Sequence, residues 1–311
     1  MPTRLETLTQ AAFDGMRDAL EPQTGTPRKA KLMQNCYPVD AEFGGGCTGR
    51  PGITITQSSQ LGTAGHRICQ RFYQFTTLTG TEYTVAFCGG LMYTFNWSTR
   101  VWTNVALVGV ALSQDVRVFC VTYNNTLVVN PNDGTNLPWT WDGTNFVSLI
   151  NAPLAYGQPT VYYGKLFFIK WATRNTIDWS EENAANTGYE AGGYLNTWQL
   201  TQTDPNILYA IRGTNEALYY WRARSMGRIL GAVTPTFTSD GVHDAVSLKT
   251  GTQSPAAITD YGPDIFFLDA DGRPQVLTGG GSVIPIWTDL RNTLANVPRS
   301  SIGDAVAASY T

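Results

Sequence analysis

Along most of this chain one unit keeps returning: a strand, a tight turn, a strongly apolar strand, a polar loop, and another strand. It first shows as Glu82–Cys88, Gly89-Gly90, Leu91–Phe95 and Val101–Val105. It returns as Val116–Thr122, Asn124-Asn125, Thr126–Val129 and Trp139–Trp141, then as Thr160–Tyr163, Gly164, Lys165–Ile169 and Thr176–Trp179. Shorter versions follow, Ile207–Ile211 with Ala217–Trp221, and Ala256–Thr259 with Ile265–Leu268 and Gln275–Leu277. Taking Leu91, Leu127, Leu166, Leu218 and Ile265 as equivalent gives spacings of 36, 39, 52 and 47 residues. That is the size of a four-stranded propeller blade. A β-sandwich, or two separate all-β modules, does not require a repeating second strand of this kind. The pattern therefore predicts an all-β fold, a β-propeller of about five to six blades. Residues 53–75, with Ile53-Thr54-Ile55 and Arg71–Phe75, can supply the opening strands of the first blade.

Composition agrees. Charged residues make up only 14% of the 311 residues, against a usual ~25%, while aromatics reach 12% and there are 31 glycines and 16 prolines. Such a chain suits strands joined by turns better than amphipathic helices. A net charge of -3 gives no global attraction to nucleic acid or an acidic membrane. The one clear helix signal is at the start. Leu5, Leu8, Ala12, Phe13, Met16 and Leu20 recur at three- and four-residue steps, and Thr3 with Glu6 can cap them. Residues 3–20 are thus expected to form an amphipathic helix, followed by the breakers of Glu21–Pro27. Residues 1–34 read as a helix and linker arm, and 35–311 as the propeller domain.

The stretch Phe43–Thr56, FGGGCTGRPGITIT, places Gly44, Gly46 and Gly49 in a G-x-G-x-x-G pattern. A dinucleotide site needs an apolar strand before those glycines and a helix opening inside them. Here Tyr37–Glu42 contains a proline and two carboxylates, and an alternating strand pattern follows. A turn into a strand accounts for the glycines better than phosphate binding. The N-terminus, MPTRLETLTQ, lacks a secretory apolar core, and no stretch is long enough to span a bilayer. Cys36, Cys47, Cys69, Cys88 and Cys120 lie at no metal-ligand spacing and are expected to be buried free thiols of a reducing cytoplasm.

The candidate chemistry is thin. Only His66 and His243 are present, and neither accompanies a nucleophile elbow. Asp178, Glu181 and Glu182 form the densest acidic group and could serve a glycosidase, or could flank a turn. Trp97, Trp102, Trp139 and Trp141 could stack on sugars or fill blade cores. Asp-Gly-Thr-Asn occurs at 133–136 and 142–145, and Asp269-Ala270-Asp271-Gly272 resembles the start of a calcium loop. Asp-Gly is first of all turn chemistry. Arg28-Lys29-Ala30-Lys31 is the only basic run, with water its default partner. No catalytic, cofactor-binding or metal-ligating residue is assigned, and the chain is not expected to be an enzyme.

Asn35-Cys36-Tyr37-Pro38-Val39, a glycine-containing spacer, and Arg50-Pro51-Gly52-Ile53-Thr54 together resemble the opening of the tail-nozzle proteins of short-tailed bacteriophages, also called packaged-DNA stabilisation or tail-hub proteins. Two later stretches fit the same pattern: Ile207–Gly213 with Glu216–Trp221, and Asp264–Asp269 with Gly281–Ile286 and the helix-like Trp287–Leu294. The resemblance spans residues 35–300 through short motifs in order. It implies a structural protein of the phage tail, assembled in the host cytoplasm. Six copies would form a ring beneath the head-to-tail adaptor, near the tail fibre or spike proteins. The ring would retain packaged DNA and conduct it at ejection, with no membrane and no cofactor. In the family a further strand pattern follows the helix-like stretch. Here Val306–Thr311 reads as the start of a strand that stops, which puts closure of the last blade in question. The alternative is a glycan-binding or glycoside-hydrolysing propeller.

Overall fold

The computed structural model describes residues 36–38, 47–49, 61–63, 66, 69–185, 190–192, 207–231, 242–286 and 299–307. The expected helix 3–20, the basic run 28–31 and Ile53–Ile55 lie outside them. A hairpin pairs β1 (Cys36–Pro38) with β2 (Cys47–Gly49), Tyr37 opposite Thr48. Five four-stranded antiparallel sheets follow one another along the chain, each strand beside its sequence neighbour. Blade 1 holds β3 (Cys69–Thr76), β4 (Glu82–Cys88), β5 (Leu91–Asn96) and β6 (Val101–Val105). Blade 2 holds β7 (Phe119–Tyr123), β8 (Thr126–Asn130), β9 (Trp139–Trp141) and β10 (Phe146–Ser148). Blade 3 holds β11 (Ala155–Tyr162), β12 (Lys165–Lys170), β13 (Ile177–Trp179) and β14 (Glu190–Gly192). Blade 4 holds β15 (Leu208–Gly213), β16 (Ala217–Arg222), β17 (Met226–Leu230) and β18 (Val242–Ser247). Blade 5 holds β19 (Ile258–Tyr261), β20 (Asp264–Leu268), β21 (Pro274–Leu277) and β22 (Val283–Pro285). The fold is an all-β propeller.

Tight turns explain why the strands reverse where they do. Asn124-Asn125 joins β7 to β8 with φ of 46° and 62°, and Tyr163-Gly164 joins β11 to β12 with φ of 47° and 67°. Two successive positive φ values are the mirror-image turn that matches strand twist. In blade 1 the corresponding signal, Gly89-Gly90, joins β4 to β5 instead. This corrects the phase of the repeat. Leu127, Leu166, Leu218 and Ile265 are each the second residue of a second strand, whereas Leu91 opens the third strand of its blade. Tyr83 is the true equivalent, which makes the first interval 44 residues. The strand predicted around Arg71–Phe75 is the opening strand β3.

The second strands of blades 2, 3 and 4 are buried along nearly their whole length because each lies between two neighbouring blades. Residues 127–130, 166–169 and 217–222 are buried without alternation, the pattern of a strand packed on two faces. Four apolar clusters fill the spaces between blades. Phe75, Val85 and Phe87 meet Leu127, Trp139 and Trp141 between blades 1 and 2. Leu166 and Phe168 meet Val128 and Leu149 between blades 2 and 3, and Trp179 and Phe167 meet Leu218 and Tyr220 between blades 3 and 4. Trp221 and Met226 meet Phe267 and Leu277 between blades 4 and 5.

Side-chain bonds also tie each innermost strand to the next. Thr122 N–H donates to Tyr73 Oη at 2.9 Å, and Gln158 Nε2 to Cys120 O. Gly213 N–H donates to Thr160 Oγ1 and Arg212 Nε to Asp260 Oδ1, both at 2.8 Å.

Candidate functional site

The series of apolar clusters runs from blade 1 to blade 5, and among the described residues none joins blade 5 back to blade 1. That seam is bridged by the segment 299–307. Arg299–Asp304 forms a 3₁₀ turn rather than a strand, and it seats Ile302 at 2% exposure. Ser254 Oγ donates to Ala305 O at 2.7 Å, and Ala307 N–H to Ala256 O at 2.9 Å. From the other side, Arg117 Nη2 donates to Asp304 O at 2.9 Å. Of the strand start expected at Val306–Thr311, only Val306 and Ala307 are described; they lie in no strand and, with Asp304 and Ala305, form a strap across the seam. Its carbonyls meet Arg117 and Ser254, so no fifth-to-first strand ladder is needed to satisfy them.

Inside the strap lies a cavity of about 460 Å³, lined from all around the ring. Cys69–Phe72 come from β3, Gln158 from β11, Arg212 from β15, Ile258 and Thr259 from β19, with Arg117 just before β7. A second cavity of about 310 Å³ shares Cys69, Gln70 and Arg117 and adds Asp115, Tyr156 and Asp304. Three of the inner strands carry register shifts here, at Cys69/Arg71, Tyr156/Thr160 and Leu208/Ala210. A bulge releases a residue from the ladder and re-aims its side chain. Gln70, so released, donates through Nε2 to Ser113 O at 2.7 Å and to Val116 O, and accepts Gly90 N–H at 2.8 Å. Gln158 Nε2 donates to Cys120 O. Gly157 sits at φ 71°, a conformation that favours glycine, close against Pro255.

The larger cavity is lined by three arginines and no carboxylate, while Asp115 and Asp304 stand in the adjoining one. Arg212 holds the Asp260 carboxylate in a bidentate pair, Nε to Oδ1 and Oδ2 at 2.8 and 3.1 Å and Nη2 to Oδ2. Arg117 is engaged with strap carbonyls. Arg71 Nε is sealed from solvent without an acceptor. These three arginines were not legible as a group. Arg71 stands in β3, Arg117 just before β7 and Arg212 in β15, and only bulges and blade closure bring them together.

The sequence candidates scatter. Asp178 is a blade-core residue of β13, 3.8 Å from Lys170 Nζ. Burial raises its carboxyl pKa, partly offset by Lys170. Glu181 pairs in a small bridge with Ala184, and Glu182 lies against Gly164 at the outer turn. The three acids do not converge on either seam cavity. His66 Nδ1 lies 2.9 Å from both Asp115 oxygens, while His243 is in β18 of blade 4. Trp139 and Trp141 are buried at 1% and 2%, which removes them as sugar platforms. Trp97 is 69% exposed beside Phe95, with ring centroids 4.9 Å apart, and Trp102 adjoins Phe95 and Phe72.

The Asp-Gly segments are turns. Asp133 Oδ1 accepts the N–H groups of Thr135 and Asn136, and Asp142 Oδ1 those of Thr144 and Asn145. Asp269 spends its oxygens on Asp271 N–H, Arg273 N–H and Gln275 Nε2. Among the described residues no His, Cys, Asp and Glu group is arranged to hold a metal ion, and no helix is long and apolar enough to cross a membrane. Of the thiols, Cys88 and Cys120 are buried as expected, but Cys69 is exposed at the seam.

No protein-family model matches the chain, and no curated protein matches it in sequence. Similar solved structures are propellers. Virginiamycin B lyase from Staphylococcus aureus aligns at 14% identity over 81% of this chain and 76% of that one, with a TM-score of 0.45. YCF48 bound to D1 peptide aligns at 11% identity over 67% and 65%, with a TM-score of 0.41. A nidogen/laminin complex aligns at 12% identity over 68% and 76%, with a TM-score of 0.43. None of the three is a phage tail protein, and likenesses this distant assign no function to the chain.

Proposed function

We propose that this chain is a structural subunit of a short-tailed phage tail, the nozzle or hub protein. Six copies form a ring below the head-to-tail adaptor that retains packaged DNA and conducts it at ejection. The observation that carries this proposal is the order of motifs: Asn35–Val39, the glycine spacer, Arg50–Thr54, then a propeller. Within the opening motif, Cys36–Pro38 pairs with Cys47–Gly49 of the glycine spacer.

The role is steric and electrostatic. Among the described residues the inner strands and the strap 299–307 enclose cavities of small-molecule size, so in this proposal DNA passes through a bore between subunits. A bore that conducts DNA is polar and binds phosphates weakly, because tight binding would stall movement. The test is antibody labelling of the parent phage, viewed by negative-stain microscopy, with mass spectrometry of the same purified particles. Label at one vertex near the tail is expected. Particles that lack the chain altogether by mass spectrometry would sink the proposal.

A second role has one observation in its favour. The exposed Trp97, with Phe95, Trp102 and the 59%-exposed Phe72, offers aromatic faces of the kind that stack on sugars. Saturable binding on a glycan array, lost in Trp97→Ala, would favour a glycan-binding propeller instead.

A further inference from the structure

We infer that the cavity enclosed by the inner strands beneath the strap is a binding site for a small oxyanion, a phosphate or carboxylate group, gripped by Arg71 with Arg117 and Arg212 around it. Three features point to it. First, the chain carries net charge -3, yet Arg71, Arg117 and Arg212, from blade 1, the entry to blade 2 and blade 4, line one cavity of about 460 Å³. Like charges gathered in a partly enclosed space repel, and the repulsion is relieved when an anion enters.

Second, two of the nearby carboxylates are already engaged, while Asp304 stands in the adjoining cavity. Asp260 is bound by Arg212, and Asp115, in the adjoining cavity, by His66. Arg117 donates to carbonyl oxygens of the strap and is in no ion pair with a carboxylate among the described residues. Third, Arg71 lines the cavity and pairs with no carboxylate among the described residues. The terminal N–H groups of a guanidinium form a planar fork that matches an oxyanion.

The rest of the lining suits a compact ligand. Gln70 and Gln158 are buried amides, held by main-chain carbonyls of neighbouring blades, and Phe72 and Val306 border the opening. The volume falls in the range of small-molecule sites. Because the strap forms part of the wall, an anion bound here also helps hold blade 5 to blade 1.

The test is calorimetric titration of the full chain with inorganic phosphate and with citrate, beside thermal melts in each. Arg71→Gln is the informative variant, since Arg117 and Arg212 also hold the strap and Asp260. A circular dichroism spectrum like that of the unmodified protein shows that the variant folds. Arg71→Lys keeps the charge but removes the fork, and is read in parallel should Arg71→Gln not fold. Saturable one-to-one binding is expected, weakened at least about ten-fold in Arg71→Gln and less in Arg71→Lys. Tighter citrate binding assigns a carboxylate ligand and tighter phosphate binding a phosphate ligand. Absence of saturable binding for both anions overturns the site. So does binding unchanged by either Arg71 variant, or binding lost only when Arg28, Lys29 and Lys31 are changed to Gln.

Discussion

Gly213→Ala tests whether the innermost strands of blades 3 and 4 meet as closely as the fold requires. Gly213 ends β15, and a Cβ placed on it would stand 2.1 Å from Val161 O and 3.0 Å from Tyr162 Cβ. Its φ is not positive, so contact alone demands glycine there. The nearest obstacle is main chain, which cannot swing aside. Ordinary contact begins at 3.4 Å, so the strands must part by about 1 Å, and a gap of that order forfeits roughly a quarter to a half of each facing dispersion contact.

Overpacking of this kind costs about 1–3 kcal/mol. Stretching the Gly213 N–H bond to Thr160 Oγ1 adds about 1 kcal/mol. The total is about 2–4 kcal/mol, and at roughly 2–4 °C per kcal/mol for a domain of this size the Tm falls by about 4–16 °C. Thermal unfolding followed by near-UV circular dichroism reads the effect through the buried Trp179 and Trp221. Gly303→Ala is the control. No atom lies within 4 Å of its added Cβ and its φ is not positive, so its Tm is expected to hold within about 2 °C. A Gly213→Ala protein that melts with the unmodified chain would refute the close approach of β11 and β15.

Three further predictions concern titratable groups. Burial pulls the Asp133 carboxyl pKa upward, but bonds from Asn136, Ser113 and Thr135 outweigh it and bring it down to about 2. A depressed folded-state pKa contributes stability above the ordinary value of 3.8 that fades as pH falls toward 2. Asp133→Asn should therefore lower Tm at pH 6 more than at pH 2.5, and an equal deficit at both would contradict this. Asp178 is the opposite case. Burial raises its pKa, so stability declines as pH rises through the folded-state value, and Asp178→Asn should flatten that decline without lowering Tm at neutral pH. A drop above about 4 °C at pH 7 would show instead that the Lys170 pair stabilises the blade. Finally, burial pushes the Cys120 thiol up to about 12, whereas Cys69 is exposed. Alkylation of the native protein, mapped by mass spectrometry, should mark Cys69 and spare Cys120; early modification of Cys120 would mean that blades 1 and 2 open readily.

The sequence by itself determined the fold class, because burial on two faces writes itself locally. Thr126–Val129, Lys165–Ile169 and Ala217–Trp221 had to be continuous apolar runs, and Asn124-Asn125 and Gly164 had to reverse the chain. Asp133, Asp142 and Asp269 were legible as turns for the same reason, since their acceptors bond N–H groups only two to four residues away. The phase of the first blade was not legible. Gly89-Gly90 makes a turn wherever it stands, and only strand pairing shows that it joins second to third strand.

Only the tertiary structure decided which tryptophans were core and that the acids at 178–182 stay apart from the seam. It also decided that the last described residues are a strap rather than a strand. The seam lay furthest out of reach. Arg71, Arg117 and Arg212 are far apart in the chain, and each alone reads as an ordinary charged residue at a strand or its edge. Their meeting depends on bulges in the inner strands and on Ser254, Ala256 and Arg117 holding residues 304–307 across the gap. Contacts of that range leave no period and no spacing in the sequence, because closure of the ring sets them and local geometry does not.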